Sequence, residues 1–130
     1  MLKANKYAIG VDIWSIGCIF VELYLGLPFV MGDSDIDQLF KLFQIYGNVN
    51  ELTLPVYNDK PSLAQTCPYL KGIGLKNYLN ERDQIIKIDE LAFDLMEKIL
   101  AFDPCKRITC KEALNHPYFK EVVCTCNYSN

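Results

Sequence analysis

The apolar positions between Val11 and Leu23 do not keep to one face. Ile13, Trp14, Ile16, Ile19, Phe20, Val21 and Leu23 fall around the whole circumference of a helix. A helix that is apolar all round is a buried one. The pattern predicts a central core helix from about Gly10 to Leu25. Gly26 suits a C-terminal cap, and Pro28 disfavours helix at the residue before it, so Gly26-Leu27-Pro28 is the expected stop. Asp12 and Glu22 are the charged residues of this segment. An acid buried near a helix start needs a specific partner, because an unpaired buried charge is costly. By length alone, Ile13 to Gly32 could span a membrane. Glu22 in mid-segment, Gly26 and Pro28 point instead to a buried helix followed by a loop, and no membrane partner is expected.

The remaining elements are punctuated more clearly. Residues 1–10, small and polar with Tyr7 and Gly10, read as a loop. Gly32-Asp33-Ser34 opens a second helix, with Ser34 as N-cap, Asp37 three residues on, and Asp35 and Asp37 favoured by the helix dipole. Its apolar stripe is Ile36, Leu39, Phe40, Phe43 and Tyr46. Asp37, Gln38, Lys41 and Gln44 are expected to face away, and Gly47 stops the helix. From Asn48 to about Ile88 the periodicity fades among Pro55, Pro61, Pro68, Gly72 and Gly74, which predicts an insertion with short helical turns. Gly72-Ile73-Gly74 begins like a phosphate loop, but it lacks the third glycine and a preceding strand and is discounted.

Asp89-Glu90-Leu91 starts a third helix with Leu91, Leu95, Met96, Ile99 and Leu100 on one face. Phe102-Asp103-Pro104 is a turn. Thr109 and Glu112 form a capping box for a short helix through Asn115, which His116-Pro117 ends. Tyr118 and Phe119 then pack back on the core, and a polar tail covers residues 122–130. No stretch reads as strand, so the expected fold class is mainly α.

Composition narrows the function classes. Of 130 residues, 51% are hydrophobic and 22% charged, as in a globular domain. The net charge of −3, without a basic cluster, gives no electrostatic case for nucleic acid. The six cysteines are Cys18, Cys67, Cys105, Cys110, Cys124 and Cys126. Met1-Leu2-Lys3-Ala4-Asn5-Lys6 has no apolar signal core, so the thiols are read as reduced and the chain as intracellular, in cytoplasm or nucleus. The spacings C-x4-C and C-x-C are not those of a zinc module, and His116 is the single histidine.

Three segments together resemble the eukaryotic protein kinases, and the cyclin-dependent kinases in particular. Val11-Asp12-Ile13-Trp14-Ser15-Ile16-Gly17 resembles the D-x-W-S-x-G helix. Gly32-Asp33-Ser34-Asp35-Ile36-Asp37-Gln38-Leu39-Phe40 resembles the next helix. Asp103-Pro104-Cys105-Lys106-Arg107-Ile108-Thr109 and Ala113-Leu114-Asn115-His116-Pro117-Tyr118-Phe119 resemble the close of the kinase fold. Order and spacing fit over about residues 5–121. The resemblance implies part of a kinase C-terminal lobe over residues 1–121, with the family insertion at 48–88. Tyr46-Gly47-Asn48-Val49 and Cys67-Pro68-Tyr69-Leu70 depart from the family pattern, so the insertion's surface is not carried over.

The resemblance assigns roles to particular residues. The aspartate matching Asp12 accepts backbone hydrogen bonds from the catalytic loop; the residue pattern alone also fits a plain helix-start charge. The arginine matching Arg107 pairs with the glutamate of A-P-E. That motif does not occur in these 130 residues, and Arg107 then reads as an exposed arginine on a turn. Trp14 and Gly17 are structural, the tryptophan filling volume and the glycine admitting a close neighbour. His116 is structural as well. Positions matching Asp33 and Ile36 help dock a cyclin-kinase-subunit type protein, which places a partner on residues 32–47; Ile36 also fits the buried stripe. ATP, magnesium and a cyclin belong to the parent family. The glycine-rich loop, the ATP lysine, H-R-D and D-F-G do not occur in this sequence, so catalytic, cofactor and metal ligands are expected to be absent from it.

The expected function is that of part of a cyclin-dependent-type serine/threonine kinase, inactive by itself. Two other expectations stand beside it. One is a non-catalytic module docking a kinase partner. The other is a truncated product without independent function, whose uncovered central helix would aggregate.

Overall fold

The first amide groups of a helix have no intrahelical acceptor, and in this chain short polar side chains take them up. The computed structural model describes residues 2–47, 70–82 and 88–120. Its helices are α1 (Leu2–Leu25), α2 (Asp35–Tyr46), α3 (Leu75–Arg82), α4 (Glu90–Ile99) and α5 (Cys110–Leu114), with 3-10 turns at Pro104–Lys106 and Pro117–Phe119. Among the described residues there is no strand, so the architecture is mainly α. The tail at 122–130, most of the 48–88 insertion, and Cys67, Cys124 and Cys126 lie outside the described residues.

Three helix starts follow local chemistry. Ser34 Oγ accepts the Asp37 amide at 3.2 Å, and the Asp37 carboxylate accepts the Asp33 amide at 2.9 Å. Asp89 accepts from the Leu91 and Ala92 amides at 3.0 and 3.2 Å. At α5, Thr109 and Glu112 form the reciprocal capping box. Glu112 is held below the usual carboxylate range by its hydrogen bonds from Thr109.

The chain divides into two compact units, one formed by Met1–Gly17 with Ile88–Asn130 and the other by Cys18–Lys87. In the first, Ile13 of α1 and Ala92, Leu95, Met96, Ile99 and Leu100 are buried. Gly17 is buried where α4 ends: a Cβ there would stand 2.5 Å from Ile99 Cγ2 and 2.7 Å from Leu100 Cδ2. In the second unit, Val21, Phe29, Phe43, Ile45, Leu75, Tyr78 and Leu79 are buried. Phe29 and Tyr78 meet edge to face at 5.8 Å, and the Tyr78 hydroxyl donates to the Phe29 carbonyl at 2.7 Å. That edge-to-face geometry and the satisfied hydroxyl let the phenol be buried without an orphan polar group. Burial pushes the Tyr78 hydroxyl above the usual phenol range.

Gly72 and Gly74 belong to a strap laid across the end of α2. Ile73 and Gly74 donate their amides to the Gln44 and Ile45 carbonyls at 2.9 Å each. Gly72 lies so close to the Gly47 amide and the Ile45 carbonyl that no Cβ would fit. The glycines serve close backbone approach, and the amides that a phosphate loop would offer to a ligand satisfy α2's last carbonyls.

Four expectations need correction. Residues 2–9 are helical, not a loop. Leu2, Lys3, Ala4, Lys6 and Ala8 favour helix, and no proline or glycine interrupts them. Asp12 therefore lies inside α1, not near its start. Second, α1 is not buried on all sides. Val11 and Ile16 are exposed in the first unit, as are Ile19 and Leu23 in the second, Leu23 by 77%. An apolar circumference permits burial but does not supply neighbours to every face. Third, Leu91 is exposed and Ala92 takes the core position on α4. The rest of the expected stripe, Leu95, Met96, Ile99 and Leu100, is buried. Fourth, Gln38 and Lys41 do not simply face away. Gln38 accepts the Gly32 amide and donates to the Val30 carbonyl at 3.0 Å, and Lys41 donates to the Met31 carbonyl. They hold the loop that enters α2.

Candidate functional site

The residues singled out from the sequence separate into two groups, one in each unit. Asp12, Trp14, Gly17, Arg107 and His116 belong to the first, Asp33 and Ile36 to the second.

Arg107 is the centre of the first group. It follows the 3-10 turn that Asp103 caps by accepting the Cys105 amide at 2.9 Å. From there its guanidinium reaches three backbone carbonyls: Nε donates to Ala101 at 2.8 Å, one terminal nitrogen to Gly10 at 2.6 Å, and the other to Phe102 at 3.2 Å. Its central carbon stands 4.7 Å from the centre of the Trp14 ring. Trp14 also meets Phe102 edge to face at 6.5 Å. The expectation of an exposed arginine is overturned, since Arg107 is half-buried. The planar fork matches several acceptors at once and stacks on an aromatic face, which lysine cannot do. Gly10 was read only as a helix boundary; its carbonyl is an anchor point that no local pattern could have disclosed, because it lies 97 positions from Arg107.

Asp12 lies one helical step from this cluster and is exposed. Among the described residues no hydrogen bond or ion pair involves its carboxylate. Trp14 is half-buried and Gly17 buried, at the contact with Ile99 and Leu100 already described.

His116 is buried, with 5% of its surface exposed. Nδ1 accepts the Tyr118 amide at 3.2 Å, and Nε2 stands 2.7 Å from Asp94 Oδ2. Lys98 Nζ also bonds Asp94 Oδ2, at 2.5 Å, and stands 3.5 Å from Nε2. Lys98 first and His116 second hold the Asp94 carboxyl below its usual range. Asp94 and Lys98 were not singled out from the sequence. Their spacing of four on one helix marked an ion pair but gave no hint of the histidine 22 positions from Asp94.

In the second unit, Asp33 and Ile36 are both exposed, Ile36 by 61%. Ile36 is therefore not part of the buried stripe of α2, whose core residues are Phe43 and Ile45. Asp35 is exposed beside it. Asp37 pairs with Lys41 at 2.8 Å, and that hydrogen bond holds the Asp37 carboxyl below and the Lys41 ammonium above their usual ranges. Leu27 and Met31 are large apolar side chains also exposed in this unit.

No group of three histidine, cysteine, aspartate or glutamate side chains among the described residues is placed to hold a metal ion. No helix among them is long and apolar enough to cross a membrane.

Comparison with known families agrees with this architecture. Residues 1–119 match the family model described as protein kinase domain. Over 121 residues the chain is 38% identical to a protein of Dictyostelium discoideum described as a probable cyclin-dependent kinase 10; the alignment covers 93% of this chain and 32% of that protein. The chain thus spans about a third of the length of that relative. A match over nearly all its residues means that the chain belongs to the protein kinase domain family.

Proposed function

We propose that these 130 residues act as the supporting part of a cyclin-dependent-type serine/threonine kinase lobe and do not themselves transfer phosphate. The parent reaction moves the ATP γ-phosphoryl group to a protein hydroxyl with magnesium, and the parent kinase takes a cyclin. The observation that carries the reading is the outward carboxylate of Asp12 on a helix whose neighbouring Trp14 is clamped by Arg107. A rigid helix presenting an uncommitted acid is suited to receive backbone amides from another segment. Asp12 is the residue we assign to anchoring a catalytic loop. H-R-D, D-F-G and the ATP lysine do not occur in this sequence, so the chain has no means of its own to bind the nucleotide, its metal or the attacking hydroxyl. Calorimetric titration of the purified chain with Mg-ATP tests this. No saturable heat is expected, and a stoichiometric isotherm would sink the reading.

A second reading concerns α2. The exposure of Ile36, with Asp33 and Asp35 exposed beside it, favours a docking surface at residues 32–47 for a small protein of the cyclin-kinase-subunit type. An apolar anchor ringed by acids gives both contact area and charge steering. The Ile36→Asp variant should lose binding of such a protein in a pull-down while its helical circular dichroism stays unchanged. Binding that survives the substitution would remove Ile36 from the surface.

A further inference from the structure

The loop that enters α2 carries more ties than a connection needs, and the docking reading of Ile36 does not use them. We propose that this loop is the second half of the same docking surface: Gln38 fastens residues 30–32 to α2 and so presents Met31 as a further apolar anchor, for a folded partner that sets lysine or arginine beside an apolar contact. The inference rests on the reading of Ile36 as a docking residue.

Residues 30–34 are all committed to α2. Gln38 donates to the Val30 carbonyl at 3.0 Å and accepts the Gly32 amide, and Lys41 donates to the Met31 carbonyl. Asp37 accepts the Asp33 amide at 2.9 Å, and the Ser34 carbonyl accepts the Gln38 amide at 2.8 Å. Gly32 lies so close to the Gln38 backbone that no Cβ would fit, so the loop is laid directly on the helix. The backbone is thus tied down while side chains stay out: Met31 is 66% exposed and Ile36 61%, with Asp33 and Asp35 exposed between them in the chain. Five steps of extended chain span at most about 18 Å, so Met31 and Ile36 fall within one interface face of about 800 Å². The charges select the partner. Asp37 is paired with Lys41 at 2.8 Å, whereas Asp33 and Asp35 form no salt bridge among the described residues. Two open carboxylates between two apolar side chains complement a basic group beside an apolar contact. A loop already held in place costs little to order on binding, and that saving is what Gln38 supplies.

The test measures binding of the whole chain to a small protein of the cyclin-kinase-subunit type by calorimetric titration, at low and at moderate salt. Met31→Ala should weaken binding about fivefold or more and Met31→Leu should retain it, with the melting temperature of both unchanged. Gln38→Ala keeps every exposed contact side chain, yet it should speed hydrogen exchange at the Gly32 amide and weaken binding about fivefold or more at temperatures where the chain is fully folded. A merely structural glutamine would lower the melting temperature and leave that affinity alone. Added salt should weaken binding. The inference is overturned if Met31→Ala binds like the original chain, if Gln38→Ala loosens Gly32 without weakening binding, or if affinity is indifferent to salt. Ile36→Asp separates the two claims. Binding lost there but kept by the Met31 and Gln38 variants removes this inference and leaves the reading of Ile36 standing. Binding kept there, or absent from the original chain, removes both. If Gln38→Ala does not fold, the two Met31 variants decide.

Discussion

The guanidinium of Arg107 stands over the indole of Trp14, its central carbon 4.7 Å from the ring centre, while its nitrogens hold three backbone carbonyls. One of these is the Gly10 carbonyl, one turn before Trp14 on α1. The two contacts act as one clamp: the indole covers the guanidinium, and the fork fixes the helix against the turn after α4.

Arg107→Lys keeps the charge but can satisfy only part of this acceptor set and cannot stack its plane on the ring. It should destabilise the first unit by about 1–3 kcal/mol. Chemical denaturation followed by the fluorescence of Trp14, the chain's single tryptophan, reads both the stability and the altered ring environment. An unchanged midpoint with unchanged emission would show that the clamp contributes nothing.

Gly17→Ala places a methyl where Ile99 Cγ2 and Leu100 Cδ2 already stand. Overpacking of that kind costs about 1–3 kcal/mol. Combined with Ile99→Ala, the penalty should be smaller than the sum of the two single losses by about 0.5 kcal/mol or more, because the space is then shared. A double-mutant cycle on denaturation free energies gives the coupling directly.

The caps of α2 and α5 were legible in the sequence because a cap is a local event. Ser34 with Asp37, and Thr109 with Glu112, close bonds across three residues, and those residues can be read off in order. Phase was also legible on α4, where Leu95, Met96, Ile99 and Leu100 are buried as their spacing predicts and Leu91 alone is exposed. What could not be read was anything that depends on a distant neighbour. The apolar circumference of α1 says which faces tolerate burial, but Ile13 and Gly17 are covered while Val11 and Ile16 are not, and only the position of α4 distinguishes them. Arg107 carries no sequence mark of its bond to Gly10. Gln38 read as a surface residue because its two backbone partners, Val30 and Gly32, precede the cap. In the candidate sites, residue identity came from the resemblance; exposure of Asp12 and Ile36 and burial of Arg107 came from the fold.

Ser34→Ala removes the acceptor of the Asp37 amide and should cost about 1 kcal/mol. Ser34→Asp restores an oxygen at the same place and should recover most of that loss. Thermal denaturation of the three chains checks the order, and an alanine variant as stable as the original would show the cap to be idle.

Asp94 supplies a pH dependence. Its carboxyl is held below the usual carboxylate range by Lys98 and then His116, so protons bind the unfolded chain first as the pH falls. The stabilisation is complete above the ordinary carboxylate value of about 4 and is lost as the pH drops through the lowered folded value. The side chain is 45% exposed, so solvent screening limits the effect to well under about 1 kcal/mol. The stability difference between the original chain and Asp94→Asn should shrink as the pH falls below the ordinary carboxylate value of about 4. A difference that grows on acidification would reverse the sign of the argument.

The central claim is that this chain supports phosphoryl transfer without performing it. The direct measurement is transfer of labelled γ-phosphate from Mg-ATP to a generic protein substrate by the purified 130-residue chain. The account predicts incorporation no greater than in a blank without the chain. Magnesium-dependent phosphorylation that is abolished by a substitution within this sequence would contradict it.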